Sequence, residues 1–259
     1  MRQQFYYDMD DEVFGKENYM RLILVRHGDP NYEEDCLTEL GHKQAGIVAK
    51  RLLEENIQKI YCSPQGRAQQ TAQPFAKLSG IGAIHTLEFM REIRYGHEDA
   101  LYQSGNPWVC AIDLMHRGAN LQDPNWRELP EFIDNTATVD IDKVMKGTDE
   151  WLASLGYERE GLYYRCTTKD DKKRIFVLFS HGGSSTALLS RVLNIPFPHL
   201  CMVLGHIPHT CITSLRFDRT PGSLGMPVLE YAVDDRHLKM MGDAMVTDKE
   251  AGAEPITMK

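Results

Sequence analysis

Two stretches of the chain decide its fold: Leu22-Ile-Leu-Val-Arg26-His27-Gly28 and Ile175-Phe-Val-Leu-Phe-Ser-His181-Gly182-Gly183. Each is an apolar run that stops at a histidine followed by glycine, a pattern typical of a buried parallel strand. In open α/β sheets, ligands bind beyond the carboxyl ends of such strands. The sequence therefore predicts an α/β fold in which His27 and His181 meet over one small anion.

A third stretch, Ile60-Tyr-Cys-Ser63-Pro64-Gln-Gly-Arg67-Ala-Gln-Gln-Thr71-Ala72, predicts a strand that leads into a helix. A helix N-terminus has free N–H groups and the positive end of the helix dipole, so it suits a phosphate. Arg67, in the first turn, adds a planar set of donors that matches phosphate oxygens. The three stretches together predict a phosphoryl-transfer site.

These motifs resemble the histidine phosphatase superfamily, in its phosphoglycerate-mutase-like branch. The resemblance rests on four ordered segments that together cover roughly residues 20–100 and 173–217: Arg26-His27-Gly28, Leu37-Thr38-Glu-Leu-Gly41-His-Lys-Gln44-Ala45, Ser63-Pro64-x-x-Arg67-Ala-x-Gln-Thr71-Ala72 and Ser180-His181-Gly182-Gly183. It implies a mostly parallel sheet and a phosphohistidine intermediate.

Strand and helix patterns alternate along the body of the chain, which predicts a three-layer α/β/α sandwich with a mostly parallel central sheet. We expect one histidine-phosphatase-like domain over residues 1–259. Residues 1–19 are predicted to be an N-terminal extension. Residues 95–171 hold all three tryptophans, and we expect them to form a largely helical cap insertion over the carboxyl edge of the sheet.

Composition narrows the class of protein. The 259 residues are 42% hydrophobic and 25% charged, as in ordinary soluble domains. A formal net charge of −8, with no basic stripe, argues against nucleic acid as a partner. No apolar run is long enough to span a membrane. The six cysteines are scattered without a Cys-x-x-Cys pair, so we expect reduced thiols and a cytoplasmic location.

The chemistry assigns roles to the motif residues. An imidazole attacks phosphorus directly when one ring nitrogen is unprotonated and the other holds its proton toward a fixed acceptor. His27 is the predicted nucleophile, with backbone carbonyls nearby to serve as that acceptor. Arg26, Arg67 and His181 are predicted to bind the nonbridging oxygens of the phosphoryl group, which is most of the catalysis in phosphoryl transfer.

The proton donor follows from the resemblance, which places an acid after the third core strand in a Glu-x-x-x-Gly context. Glu92-Ile-Arg94-Tyr95-Gly96 matches this spacing, so Glu92 is the predicted acid. Glu88, Glu98 and Asp99 are alternatives. Arg94 and Tyr95 are candidates for a second substrate anion. Ser63 is a candidate phosphate contact, with a helix cap as its other interpretation.

The sequence does not fit a cysteine nucleophile or a metal site. Cys62 and Arg67 are separated by four residues, whereas the loop of cysteine phosphatases has five and is rich in glycine. His206-Ile-Pro-His209 lacks a carboxylate or cysteine at metal-ligand spacing, and the proline spoils a helical pair. We therefore expect no metal and no cofactor, with these histidines at the pocket rim or in solvent.

The function that the sequence predicts is hydrolysis of a small phosphorylated metabolite. The resemblance implies that mutases of this branch have a long segment rich in Trp and Asn between Arg-His-Gly and the Leu-Thr motif. In this chain only Asp29–Cys36 lies between the two motifs, with Glu33 where an asparagine is usual. The alternatives are a phosphoglycerate-mutase-type transferase and an inactive phosphate-binding module. Neither the substrate nor the oligomeric state follows from the sequence.

Overall fold

The structure of the protein is a computed structural model that describes residues 19–96, 105–168, 174–218 and 220–239. Apart from Tyr19, the predicted N-terminal extension lies outside the described residues. So do Glu98 and Asp99, the two alternatives to Glu92 that follow it in the chain.

The described ranges contain eleven strands and seven α-helices. The strands are β1 Tyr19–Arg26, β2 Pro30–Asn31, β3 Cys36–Leu37, β4 Lys59–Cys62, β5 Ile84–Thr86, β6 Tyr157–Glu160, β7 Tyr163–Cys166, β8 Arg174–Ser180, β9 Ile212–Asp218, β10 Leu224–Gly225 and β11 Val228–Asp234. The helices are α1 Glu39–Leu52, α2 Gly66–Ser79, α3 Pro107–His116, α4 Thr136–Ser154, α5 Gly182–Leu193, α6 Phe197–Leu204 and α7 Arg236–Lys239. Short 3₁₀ helices cover Leu53–Glu55, Glu88–Met90 and Trp126–Glu128.

The central sheet has six strands in the order β11-β9-β1-β8-β4-β5. Strands β1, β8, β4 and β5 pair in parallel, whereas β9 runs antiparallel to both β1 and β11. The sheet is therefore mostly parallel, and with helices on both faces it confirms the predicted α/β/α class.

The strand register sets the geometry of the carboxyl edge. Arg26 pairs with Ser180, and Cys62 pairs with Phe179. A hydrogen bond continues the pairing beyond the last residue of β1, because the amide of His27 donates to the carbonyl of Ser180 at 2.9 Å. The parallel register thus places His27 and His181 side by side, as the two apolar runs predict.

Alternate residues of the strands point to opposite faces, as the two-residue period of a strand requires. One face packs on α1 and α2; its buried residues include Ile23, Val25, Val177, Phe179, Val48, Leu52, Ala72 and Phe75. The other face packs on the helices of the second half; its buried residues include Met20, Leu22, Leu24, Leu178, Ile141, Leu152, Leu188 and Phe197. Each helix layer covers one of the two cores.

Helix α1 begins directly after a capping residue. Thr38 is its N-cap, and its hydroxyl accepts a hydrogen bond from the amide of Gly41 at 3.1 Å. Ala45, Val48, Ala49 and Leu52 form its buried face, at the three- and four-residue spacing of one side of a helix. The helix is held in place by that face, and its first turn lies beside the loop that follows β1.

The interval 95–171 differs in part from the expected cap. Helix α4 begins near the carboxyl edge, where the amide of Thr136 donates to the carbonyl of Gly96 at 3.2 Å. The helix then runs along the sheet face, because its apolar stripe shares the core that contains Met20 and Leu22. Strands β6 and β7, which the sequence did not predict, form a small antiparallel sheet with β10. Much of the interval is thus a layer of the sandwich.

Within the described residues, no single helix is both long and apolar enough to cross a membrane. One bent pair, α5 with α6 at 114°, meets the criteria of length and composition together.

Candidate active site

His27 follows the last residue of β1, and its ring is almost fully buried. Its Nδ1 lies 2.7 Å from the carbonyl oxygen of Gly28. A carbonyl oxygen only accepts hydrogen bonds, so Nδ1 carries the proton and Nε2 keeps its lone pair. Burial, together with the neighbouring His181 and Arg26, holds the pKa of His27 well below its ordinary value. The ring is therefore neutral, with one nitrogen available to attack an electrophile.

Because Gly28 has no side chain, the loop after β1 packs closely against both α1 and α2. A Cβ at Gly28 would lie 2.7 Å from the carbonyl oxygen of Gly41 in α1. The Gly28 amide donates to the hydroxyl of Thr71 in α2 at 3.0 Å, and that hydroxyl donates to the carbonyl of Arg67 at 2.7 Å. These contacts fix the position of the carbonyl that orients His27.

His181 follows β8, and its ring centroid lies 5.1 Å from that of His27. Its Nε2 lies 2.7 Å from the hydroxyl of Ser63. That hydroxyl also accepts the amide of Gln65 at 3.3 Å, which fixes its position beside the ring. Within the described part of the chain, Nδ1 of His181 is buried and has no hydrogen-bond partner.

The pKa of His181 is also held well below its ordinary value, by burial and by Arg67 and Arg26. Both arginines are buried, with exposed fractions of 8% for Arg26 and 5% for Arg67. Arg26 donates to the carbonyl of Ile207. Two buried guanidiniums and two neutral imidazoles therefore lie at or after the ends of β1, β4 and β8, an arrangement that favours an anion.

The N-terminus of α2 is not free in the way the sequence predicts. Its first amide, that of Gly66, donates to Asp35 Oδ2 at 2.7 Å, and Asp35 Oδ1 accepts from Arg67 at 2.5 Å. Asp35 reaches this place from a backbone turn with a φ of 49°. The expected role of the helix end in phosphate binding is thus corrected, since the carboxylate of Asp35 caps it and fixes Arg67.

Glu92 follows the short helix Glu88–Met90 and reaches the N-terminus of α5. Its carboxylate accepts the amides of Ser184 at 3.0 Å, Gly183 at 3.3 Å and Ile93 at 3.0 Å. A Cβ at Gly183 would lie 2.6 Å from Glu92 Oε1, so this approach needs glycine. Because α5 begins directly after His181, Glu92 lies beside the two histidines.

Burial raises the pKa of Glu92 above its ordinary value, and this outweighs the opposing effect of the three backbone donors and of Arg26. A carboxyl group with a raised pKa retains its proton closer to neutral pH, which is what a general acid requires. A Cβ at Gly182 would lie 3.8 Å from Nε of Arg26, so Arg26 and Glu92 both approach the first turn of α5.

Arg94 is engaged elsewhere. Its guanidinium forms a two-point ion pair with Asp140 of α4, at 2.8 Å and 3.0 Å. Burial alone would raise the pKa of Asp140, yet Arg94 and Lys143 lower it to about 2. This ion pair therefore holds α4 against the loop that follows Glu92. Tyr95 is exposed, and its contact with a substrate anion stays a prediction.

The predicted position of His209 is wrong. It was expected at the rim or in solvent, but only 6% of it is exposed and its ring centroid lies 5.6 Å from that of His27. The loop is held there because the amide of Thr210 donates to the carbonyls of Arg26 and His27. The only signal in the sequence is the position of His209 just before a late strand, which does not specify a neighbour.

Metal binding finds no support in the described residues, where no group of three or more histidine, cysteine, aspartate or glutamate side chains is arranged to hold an ion. Cys62 is buried, and burial raises its pKa far above the ordinary value for a thiol. A thiol in that state is a poor nucleophile, which agrees with the choice of His27 over Cys62.

Comparison with known proteins shows which family this chain is similar to. The model of the histidine phosphatase superfamily (branch 1) matches residues 22–105. A probable phosphoglycerate mutase GpmB of Yersinia enterocolitica is 26% identical over 85% of this chain and 96% of its own length. The protein of the same name from Serratia proteamaculans is 28% identical over 68% of this chain and 76% of its own.

Solved structures show the same fold. Mycobacterial glucosyl-3-phosphoglycerate phosphatase matches with a TM-score of 0.56 at 25% identity, over 83% of this chain and 98% of its own. Phosphoserine phosphatase of Entamoeba histolytica matches with a TM-score of 0.55 at 23% identity, over 85% and 99%. Together with the matched family model, these likenesses support the histidine phosphatase superfamily as the family that this chain resembles.

Proposed function

We propose that the protein is a phosphomonoester hydrolase that acts on a small phosphorylated metabolite through a phosphohistidine on His27. The observation that carries this proposal is the 2.7 Å contact between Nδ1 of His27 and the carbonyl of Gly28. It fixes the tautomer that an attacking imidazole needs, in a ring whose lowered pKa keeps it neutral at pH 7.

The substrate's phosphoryl group would bind between Arg26, Arg67 and His181, which supply donors to its nonbridging oxygens. Nδ1 of His181 and Nε of Arg67 support this role, since both are buried and neither has a hydrogen-bond partner among the described residues. A buried donor without a partner is costly unless a ligand satisfies it. Positioning and charge stabilisation of this kind supply most of the catalysis in phosphoryl transfer.

The reaction then runs in two steps. In the first, Nε2 of His27 bonds to phosphorus, the bond to the leaving oxygen breaks, and Glu92 donates a proton to that oxygen. In the second, a water oxygen bonds to phosphorus, the phosphorus–nitrogen bond breaks, and its electron pair returns to His27. The proton of the water passes to the carboxylate of Glu92, which restores the acid.

A phosphoglycerate-mutase-type transferase is the second candidate, because the relatives from Yersinia and Serratia carry that name. Hydrolysis is favoured by the short segment between Gly28 and Leu37. In it Asp35 occupies the end of α2, and the ring of Tyr32 lies 5.4 Å from the guanidinium of Arg67. The resemblance to glucosyl-3-phosphoglycerate phosphatase also supports a hydrolase. An inactive binding module is disfavoured by the intact set of His27, Glu92 and His181.

The experiment that separates these functions measures two products from one reaction. The purified protein is incubated with an aryl phosphate, and then with a phosphoglycerate, while free phosphate and positional isomers are quantified separately. We expect free phosphate from the aryl phosphate and no isomerisation that exceeds phosphate release. Isomerisation faster than release would establish a mutase, and no turnover of any phosphorylated metabolite in a panel would favour a binding module.

We further propose a cytoplasmic location and a small phosphorylated substrate as the partner. All six cysteines are free thiols, which is usual in a reducing compartment. The buried, cationic region around His27 is suited to a small anionic group.

A further inference from the structure

His209 is a third imidazole at the proposed phosphoryl site. It lies on the loop between α6 and β9, and the amide of Thr210 ties that loop to the carbonyls of Arg26 at 3.1 Å and His27 at 3.2 Å. The centroids of His209 and His27 are 5.6 Å apart, close to the 5.1 Å that separates His181 from His27. His209 therefore flanks the nucleophile at nearly the same distance as His181.

The ring nitrogens of His209 are unsatisfied. Neither Nδ1 nor Nε2 has a hydrogen-bond partner among the described residues, although the side chain is almost fully buried. Buried polar groups in native proteins almost always have partners, so an exception next to a reactive group points to a ligand. The mechanism proposed above leaves these two nitrogens without a role.

Asp29 is placed to orient the ring. Its Oδ1 lies 3.7 Å from Nδ1 of His209. The other oxygen accepts the hydroxyl of Thr38 at 2.6 Å, and the amide of Asp29 donates to Gln44 at 2.7 Å. This anchored carboxylate favours the form of His209 with a proton on Nδ1, as a carboxylate does for a histidine that it orients.

The charged neighbours of His209 set its protonation. Burial lowers its pKa to about 3, and Arg26 and His206 act in the same direction. Asp29 is the neighbour of opposite sign, and the neutral His27 faces the ring from the end of β1. A dianionic phosphoryl group bound to Arg26 would offset the positive charge that now disfavours protonation.

We propose that His209 is a further phosphoryl-binding residue, whose Nε2–H donates to a nonbridging oxygen while Asp29 accepts from Nδ1, and that the ring takes up a proton when the phosphoryl group binds. The inference deepens the proposed function and rests on it. It assigns His209 an equatorial place around phosphorus, beside His181, because both rings stand at similar distances from the nucleophile.

The test uses inorganic phosphate as the probe and isothermal titration calorimetry at pH 7 in two buffers of different ionisation enthalpy. The difference in proton uptake between the wild type and His209→Asn cancels the ionisation of phosphate itself. We expect the wild type to take up more protons than the variant and to bind phosphate about tenfold more tightly, since charge-assisted hydrogen bonds are strong. His116→Asn, at an exposed site in the last turn of α3, is the control.

A second variant guards against misfolding. Asp29→Asn keeps the shape of the side chain and removes its charge, so it is expected to lower proton uptake even if His209→Asn fails to fold. Proton uptake and affinity equal to the wild type in folded variants would overturn the inference. If phosphate binding depends on His209 while no phosphohistidine forms on His27, the binding inference stands and the proposed function fails.

Discussion

The hydroxyl of Ser63 lies 2.7 Å from Nε2 of His181 and so joins the ends of β4 and β8, two neighbouring strands. Ser63 is fully buried and also accepts the amide of Gln65. The serine of the Ser-Pro-x-x-Arg motif thus orients the ring of a histidine 118 residues away in the chain. The helix-cap interpretation of Ser63 is wrong, because Gln65 is the N-cap of α2 and no side chain caps the helix there; Ser63 instead positions His181.

Replacing Ser63 by alanine removes the hydrogen bond that fixes His181. We expect the KM for an aryl phosphate and the inhibition constant of inorganic phosphate to rise about threefold to tenfold, the worth of one such hydrogen bond. Ser79→Ala, at the far end of α2, is the matched control. An unchanged KM and inhibition constant in a folded Ser63→Ala protein would show that Ser63 does not position His181.

Glu92→Gln is expected to slow hydrolysis in proportion to the basicity of the leaving oxygen. Loss of a general acid costs about 10²–10⁴-fold, and an alkyl phosphate has the more basic leaving group. The variant is therefore compared on an aryl and an alkyl phosphate, with the greater loss expected on the alkyl ester. Equal losses on both would shift attention to Glu98 or Asp99.

Gly183→Ala tests the placement of Glu92 without changing its chemistry. The new Cβ would crowd Oε1 of Glu92, so the carboxyl must move and the alkyl phosphate should again suffer the larger loss of kcat. Gly46→Ala in α1 is the control, because a Cβ there meets nothing within 4 Å. That control should raise the free energy of unfolding by about 0.5–1 kcal/mol. A Gly183→Ala protein with wild-type leaving-group dependence would contradict the placement.

Stability should fall on the acid side of neutrality in the absence of phosphate. The pKa values of His27 and His181 lie well below normal, and that of His209 is about 3. Between these values and about 6.5 the unfolded chain binds more protons, so the free energy of unfolding decreases as pH falls through this range.

Each such histidine contributes at most about 1.4 kcal/mol per pH unit. The raised pKa of Glu92 acts in the opposite sense over part of the range, but three histidines outweigh one carboxyl. Urea unfolding between about pH 7.5 and pH 5 measures the slope, which His209→Asn should make shallower. A flat profile, or a steeper one in the variant, would mean that these rings are not buried in the neutral form.

The meeting of His27 and His181 could be predicted because it depends on strand pattern alone. Two apolar runs that end in His-Gly, paired in parallel and in register, place their next residues together. The role of Glu92 was predicted instead from the resemblance, because the spacing between a glutamate and a glycine does not by itself indicate a structure. Arg67 was placed by its motif, although Asp35 shares its guanidinium.

Contacts between distant loops could not be predicted. Asp35 caps α2 only because the turn before β3 carries it there, and Arg94 meets Asp140 only once α4 is folded against the edge. His209 likewise reaches His27 through hydrogen bonds made by the backbone of Thr210. Each of these positions is set by packing between segments, and no local propensity or period in the sequence records it.

The most direct test of the account is to trap the intermediate on His27. The protein is mixed with a radiolabelled aryl phosphate, quenched within one turnover and digested, and the labelled residue is identified by mass spectrometry. We predict an acid-labile, base-stable label on His27 that is absent from His27→Ala, which should also lose all turnover. Turnover by His27→Ala, or a label on any other residue, would contradict it.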